Sequence, residues 1–225
     1  MFWASVILSI FFMGWADGLR FPPQRQALTL ATIFMGLDSV ELLMEIEKYF
    51  GIQIPDAEAE KVYTIQNMVD SVATHLSISN DNTDLKCRTF QKIVESIPKS
   101  TLTNEQIKLT DNISKYISPD KKEAWSSFKS NLGLDVPNPD IIKTNSNKIK
   151  TLLSWAPNYD WATITVDQFV NAICAANYLT LVDKKNIKSK YEIYISVVGI
   201  TVNRIGVEFY EIAPDKSFTN DLGVD

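Results

Sequence analysis

The chain has 225 residues and a net charge of −5, enough for one large domain or two small ones of roughly 80–100 residues, each able to bury a core without staples. Its two cysteines, Cys87 and Cys174, lie far apart with no His or second Cys at metal-ligand spacing, which excludes a disulfide framework and a zinc site and makes the reducing cytoplasm the expected location. No catalytic triad, P-loop or Gly-rich dinucleotide motif occurs, and the single histidine, His75, sits in a polar Thr74-His75-Leu76-Ser77 setting that reads as surface, so the chain is not expected to be an enzyme.

Residues 2–16 form an apolar run of about 15, short of the roughly 20 needed to cross a bilayer as a helix. No Lys or Arg precedes the run and no small-x-small cleavage site follows it, so it is a poor signal peptide. Three readings stand: residues 1–34 are an extension upstream of a true start at Met35, residues 2–16 touch a membrane, or the run packs as an apolar helix.

From residue 36 the period changes. Val40, Leu43, Ile46 and Phe50 recur at three- and four-residue spacing and predict a helix with one apolar face. Asp38 with Glu41 resembles a capping box at its start, and Ile54-Pro55-Asp56 breaks the chain after it. Thr64 is then a natural N-cap for a helix whose apolar side is Ile65, Met68, Val69 and Val72. Between 36 and 79 the acids Asp38, Glu41, Glu45, Glu47, Asp56, Glu58, Glu60 and Asp70 face only Lys48 and Lys61. That excess excludes nucleic acid as a partner and suits docking to basic protein patches.

The middle of the chain repeats the plan. Leu132-Gly133-Leu134-Asp135-Val136-Pro137 matches Phe50-Gly51-Ile52-Gln53-Ile54-Pro55 at a constant offset of 82, and Ile164-Thr165-Val166 onward matches Tyr63-Thr64-Ile65 onward at an offset of 101. The difference marks an insertion within 138–162, moderately apolar and read as a packed loop with a short helix or an exposed partner-binding hairpin. A helix opening at Tyr116-Ile117-Ser118-Pro119-Asp120, with Ser118 as N-cap, should turn Trp125, Phe128 and Leu132 inward. Ile107, Ile113 and Ile117 share the spacing of Ile212, Phe218 and Leu222, and each set follows an amphipathic stretch, one with Phe90, Ile93, Val94 and Ile97, the other with Val197, Val198, Thr201, Val202 and Ile205.

Gly36-Leu37-Asp38-Ser39-Val40-Glu41-Leu42-Leu43-Met44, continuing through Phe50-Gly51-Ile52-Gln53-Ile54-Pro55-Asp56 to Val69, resembles the second helix, loop and closing helices of acyl carrier proteins. Ile205-Gly206-Val207, Glu211-Ile212-Ala213-Pro214-Asp215-Lys216-Ser217-Phe218 and Asp221-Leu222-Gly223-Val224-Asp225 resemble that family's first helix and long loop. The resemblance implies an all-α protein of two four-helix bundles: a circularly permuted carrier domain from 36–79 plus 186–225, wrapped around a degenerate carrier-like domain at 86–178. A half bundle cannot bury its own apolar stripe, so the two ends should close on each other within one chain or by exchange in a domain-swapped dimer.

The family works through one serine that carries 4′-phosphopantetheine. Asp38-Ser39 matches its attachment dipeptide, counting back from Val40 by the family's spacing lands on Gly36, and the same count in the middle lands on Ser118. With Ser39 as the attachment site, the resemblance implies tethering of acyl groups for fatty-acid or polyketide-type synthesis. Asp38, Glu41, Glu45 and Glu47 would then meet a phosphopantetheinyl transferase and acyl-handling enzymes. The alternative is an unmodified carrier-fold binding module or adaptor docking such enzymes, membrane-associated if residues 2–16 anchor it.

Overall fold

Leu42, Ile46 and Phe50 fall four residues apart and are buried on one side of the helix α1 (Leu37–Phe50), with Leu43 half-buried beside them. The helix ends at Gly51, whose φ of 68° lies in the left-handed region that glycine enters without steric cost. Gly133, with φ 60°, closes the helix Lys122–Leu132 in the same way. The computed structural model describes residues 37–99, 106–137 and 161–224, all within one compact unit, Gly36–Asp225. The expectations for residues 1–34, Met35, Gly36, Asp225 and most of the 138–162 insertion lie outside the described residues.

The protein is all-α. Among the described residues there are eight α-helices and no strand. After α1 come α2 (Asp56–Ala59), α3 (Ile65–His75), α4 (Asp84–Ser96), α5 (Lys122–Leu132), α6 (Val166–Ala176), α7 (Tyr178–Leu181) and α8 (Lys190–Ile205), with 3-10 turns at Ile113–Lys115, Trp161–Thr163 and Phe209–Glu211. Thr64 and Asn67 form a reciprocal capping box at the start of α3, and Thr165 and Gln168 form another at the start of α6. Each such cap satisfies amide donors that a helix start leaves orphaned and contributes about 1 kcal/mol.

Two starts differ from expectation. Because α1 already includes Leu37, Asp38 and Glu41 lie inside the helix rather than as a cap with its partner. α5 begins at Lys122, later than the sequence suggests: the Lys121 amide donates to the Ser118 carbonyl, closing residues 118–121 as a turn. Ser118 therefore opens the turn and is not an N-cap, a place that Lys121 takes. Trp125, Phe128 and Leu132 are buried as expected.

α8 packs against α3, α1 and α6, and α4 packs against α6 and α5. From Tyr191 to Thr201 every residue of α8 except Tyr194 is buried, as a helix with neighbours on several sides must be; its sequence had read as merely amphipathic. A close approach occurs at Gly199, where an added Cβ would lie 2.6 Å from the Ala175 carbonyl oxygen and closer still to the Tyr178 ring. In the middle segment Trp125, Phe128, Trp161 and Phe169 make tilted and edge-on ring contacts, and the Trp161 indole N–H donates to the Ile117 carbonyl at 2.9 Å.

Two isolated antiparallel bridges lie in the loops, Thr64 with Ser217 and Asn112 with Thr165. Their hydrogen bonds run in the same register. The Ile65 amide donates to the Lys216 carbonyl, Gln66 to Pro214, and Phe218 to Tyr63; likewise Val166 donates to Asp111, Asp167 to Leu109, and Ile113 to Ile164. Ile212, Phe218 and Leu222 are buried beside the first bridge, and Ile107, Ile113 and Ile117 beside the second.

Candidate functional site

Ser39 is the third residue of α1 and half-buried. Amide groups of a first helical turn have no intrahelical acceptor, side chains lean toward the helix start, and the positive end of the helix dipole lies there. A partly exposed hydroxyl at this place fits esterification by a phosphate, because the positive end of the helix dipole favours the phosphate charge. Asp38, beside it, is exposed.

The other acids divide. Glu41 and Glu45 both form ion pairs with Arg204, in the last turn of α8, the Arg204–Glu45 pair at 3.5 Å. Glu47 accepts a hydrogen bond from the Ile54 amide at 2.6 Å and so braces the loop after α1. The structure thus gathers Asp38, Ser39, Glu41 and Glu45 at the start and along one side of α1, and gives Glu47 a loop-bracing bond. Met44, which sequence reasoning did not single out, is 56% exposed among these acids. Its position between Leu43 and Glu45, off the buried Leu42–Ile46–Phe50 stripe, is the signal that would have found it.

Ser118 is half-buried and accepts the Asp120 amide through its hydroxyl at 3.4 Å, four residues ahead of α5, so it lacks the helix start that Ser39 has. His75 is exposed and bonds Glu58 at 3.0 Å. Hydrogen bonds from Ser71 and then His75 hold the Glu58 carboxyl below its ordinary range. Cys87 is exposed and Cys174 buried, both as free thiols; burial pushes the Cys174 thiol up and keeps it protonated. Among the described residues no cluster of three or more His, Cys, Asp or Glu could hold a metal ion, and no helix is long and apolar enough to cross a membrane.

The arrangement is a helix start bearing a serine, with carboxylates and an exposed Met along the same helix. Thirty-nine residues of the chain, 17% of it, are 56% identical to an acyl carrier protein of Rubrobacter xylanophilus and cover 48% of that protein. The chain therefore spans about half the length of this curated relative. No protein-family profile matches the chain, and no solved structure does.

Proposed function

We propose that the chain is an acyl-carrier-type module, without catalytic activity of its own, in which Ser39 receives 4′-phosphopantetheine in the cytoplasm. The observation that carries this reading is the 39-residue likeness to an acyl carrier protein, joined to a serine in the first turn of α1. Ser39 Oγ is the attachment atom, and the positive end of the α1 dipole favours the phosphate charge. The arm supplies a terminal thiol whose thioester is a good acyl donor. Asp38, Glu41 and Glu45 face the basic patches of a phosphopantetheinyl transferase and of acyl-handling enzymes, Met44 adds an apolar contact, and Arg204 holds two of these acids in place meanwhile.

The same reading treats 36–79 with 186–225 as one carrier unit in permuted order and 86–178 as a second. Its support is that α8 packs on α1 and α3, and that the hydrogen bonds around Thr64–Ser217 repeat, partner for partner, those around Thr165–Asn112. Deleting 186–225 should then abolish the cooperative melting of α1 and α3; a truncated chain that melts as sharply as the full one would defeat the permuted arrangement. Size-exclusion chromatography with light scattering separates closure within one chain from a swapped dimer.

Co-expression with a promiscuous phosphopantetheinyl transferase should add the mass of one phosphopantetheine group to the full chain, and Ser39→Ala should remove it. The residue at the family's spacing is Gly36, which favours a second reading, an unmodified carrier-fold adaptor docking acyl-processing enzymes. An intact mass without the increment selects that second reading. Sedimentation with vesicles only when residues 2–16 are present would place the adaptor on a membrane.

A further inference from the structure

Glu41 and Glu45 stand one turn apart on α1, and both meet the guanidinium of Arg204 in the last turn of α8. Its terminal nitrogens are divided between them, Nη2 on Glu41 Oε2 and Nη1 on Glu45 Oε1, the latter at 3.5 Å. One planar fork thus spans two carboxylates, an arrangement that the point charge of a lysine does not reproduce. The end of α8 suits a cation, because the carbonyl groups of a last helical turn carry the negative end of the dipole. The cluster is not sealed off. The side chains of Arg204, Glu41 and Glu45 keep 31%, 38% and 46% of their surface open, and Met44 between the two acids is exposed as well. A cation arriving from solvent reaches the same carboxylates, but it finds them already paired and meets the like charge of Arg204.

We propose that Arg204 is an internal competitor for the acidic face of α1. It occupies the carboxylates that a basic partner would use, and so admits protein surfaces that present an arginine able to take its place. Docking then exchanges one guanidinium for another, an exchange close to neutral in itself, so the net gain must come from added contacts such as an apolar group on Met44. A weakly basic surface, or one offering lysine alone, fails to displace the fork and is turned away by like charge. The proposal rests on the reading of α1 as a docking face and adds the device that sets its selectivity.

The test uses the full-length chain and a fluorescein-labelled helical peptide with arginines one helical turn apart and a leucine between them, its binding read by fluorescence anisotropy. Arg204→Gln should bind this peptide about three- to tenfold more tightly than the unaltered chain at low salt, the range that a pair of exposed ion pairs allows. The gain should fade in about 1 M salt, where the screening length falls to about 3 Å. Arg88→Gln, the same change of charge at an exposed position of α4, should alter the affinity by less than about twofold. A lysine version of the peptide should bind the unaltered chain more weakly than the arginine version, and the difference should narrow on Arg204→Gln. Should Arg204→Gln not fold, Arg204→Lys, which keeps the charge without the fork, should still tighten the arginine peptide about twofold. Unchanged or weaker binding to Arg204→Gln makes Arg204 a brace between helices and overturns the proposal, as does an equal gain from Arg88→Gln or equal binding of the two peptides. A peptide that binds the double variant Glu41→Gln, Glu45→Gln as tightly as the unaltered chain overturns the docking face and this proposal with it. Dependence on both acids with indifference to Arg204 overturns this proposal alone.

Discussion

The outer segments, 37–79 and 190–224, and the middle segment, 84–178, are built on one pattern but differ where they meet solvent. Both carry a bridge in identical register, a Thr capping box, a left-handed glycine after a helix, and three buried apolar residues beside the bridge. Their exposed helices diverge. α1 carries Asp38, Glu41, Glu45 and the exposed Met44, whereas α5 carries Lys122, Glu123, Ser126, Ser127 and Lys129 and follows Lys121. Interior positions answer to packing and to the closure of backbone hydrogen bonds, so they keep their kind. Solvent-facing positions have no such constraint, and here the sign of charge has turned over.

The strongest way to break the comparison is to empty the two cores at matching positions. Ile46→Ala should cost about 2–5 kcal/mol and Phe128→Ala about 3–5 kcal/mol. Because α8 contacts both α1 and α6, each variant should lower one shared thermal transition; two separate transitions would mean that the segments melt independently. Next in size is the crossing at Gly199, where Gly199→Val must displace the Tyr178 ring and the Ala175 carbonyl and should cost about 1–3 kcal/mol in chemical denaturation. Smaller still are the paired caps: Thr64→Ala and Thr165→Ala should each cost about 1 kcal/mol, and a large inequality would show that the two bridges are alike in register but not in strength.

The smallest effect sharpens the contrast through pH. Asp111 accepts from the Lys108 amide and the Tyr116 hydroxyl and pairs with Lys115, and these contacts, the backbone bond first, hold its carboxyl at about 2. A depressed folded pKa gives stability present above the ordinary carboxylate range and lost as pH falls toward about 2. Asp111→Asn should therefore lower the melting temperature slightly at pH 7 and hardly at all near pH 2. The bridge in the outer segments has Lys216 at the corresponding place and lacks this response.

Much of the architecture was legible because it is local. The start of α3 at Thr64, the glycine stops and the buried isoleucines follow from spacing and turn chemistry within a few residues. What was not legible depends on partners distant in sequence. Arg204 reaches Glu41 and Glu45 only because α8 lies on α1, and nothing near α1 announces a cation. α8 read as amphipathic because its burial is decided by three separate helices. The start of α5 was misplaced because Ser118-Pro119 suits a helix start, yet the turn closing at Lys121 uses the same residues. Glu47 also accepts from the Ile54 amide, a bond that its charge and helical spacing do not announce.

The packing of α8 on α1 and α3 also sets a timetable for synthesis. Some 140 residues separate the end of α1 at Phe50 from the start of α8 at Lys190. At ordinary ribosomal speeds the apolar stripe of α1 emerges roughly 10–30 s before the helix that covers it. During that interval Leu42, Ile46 and Phe50 lack the surface that α8 later brings to them.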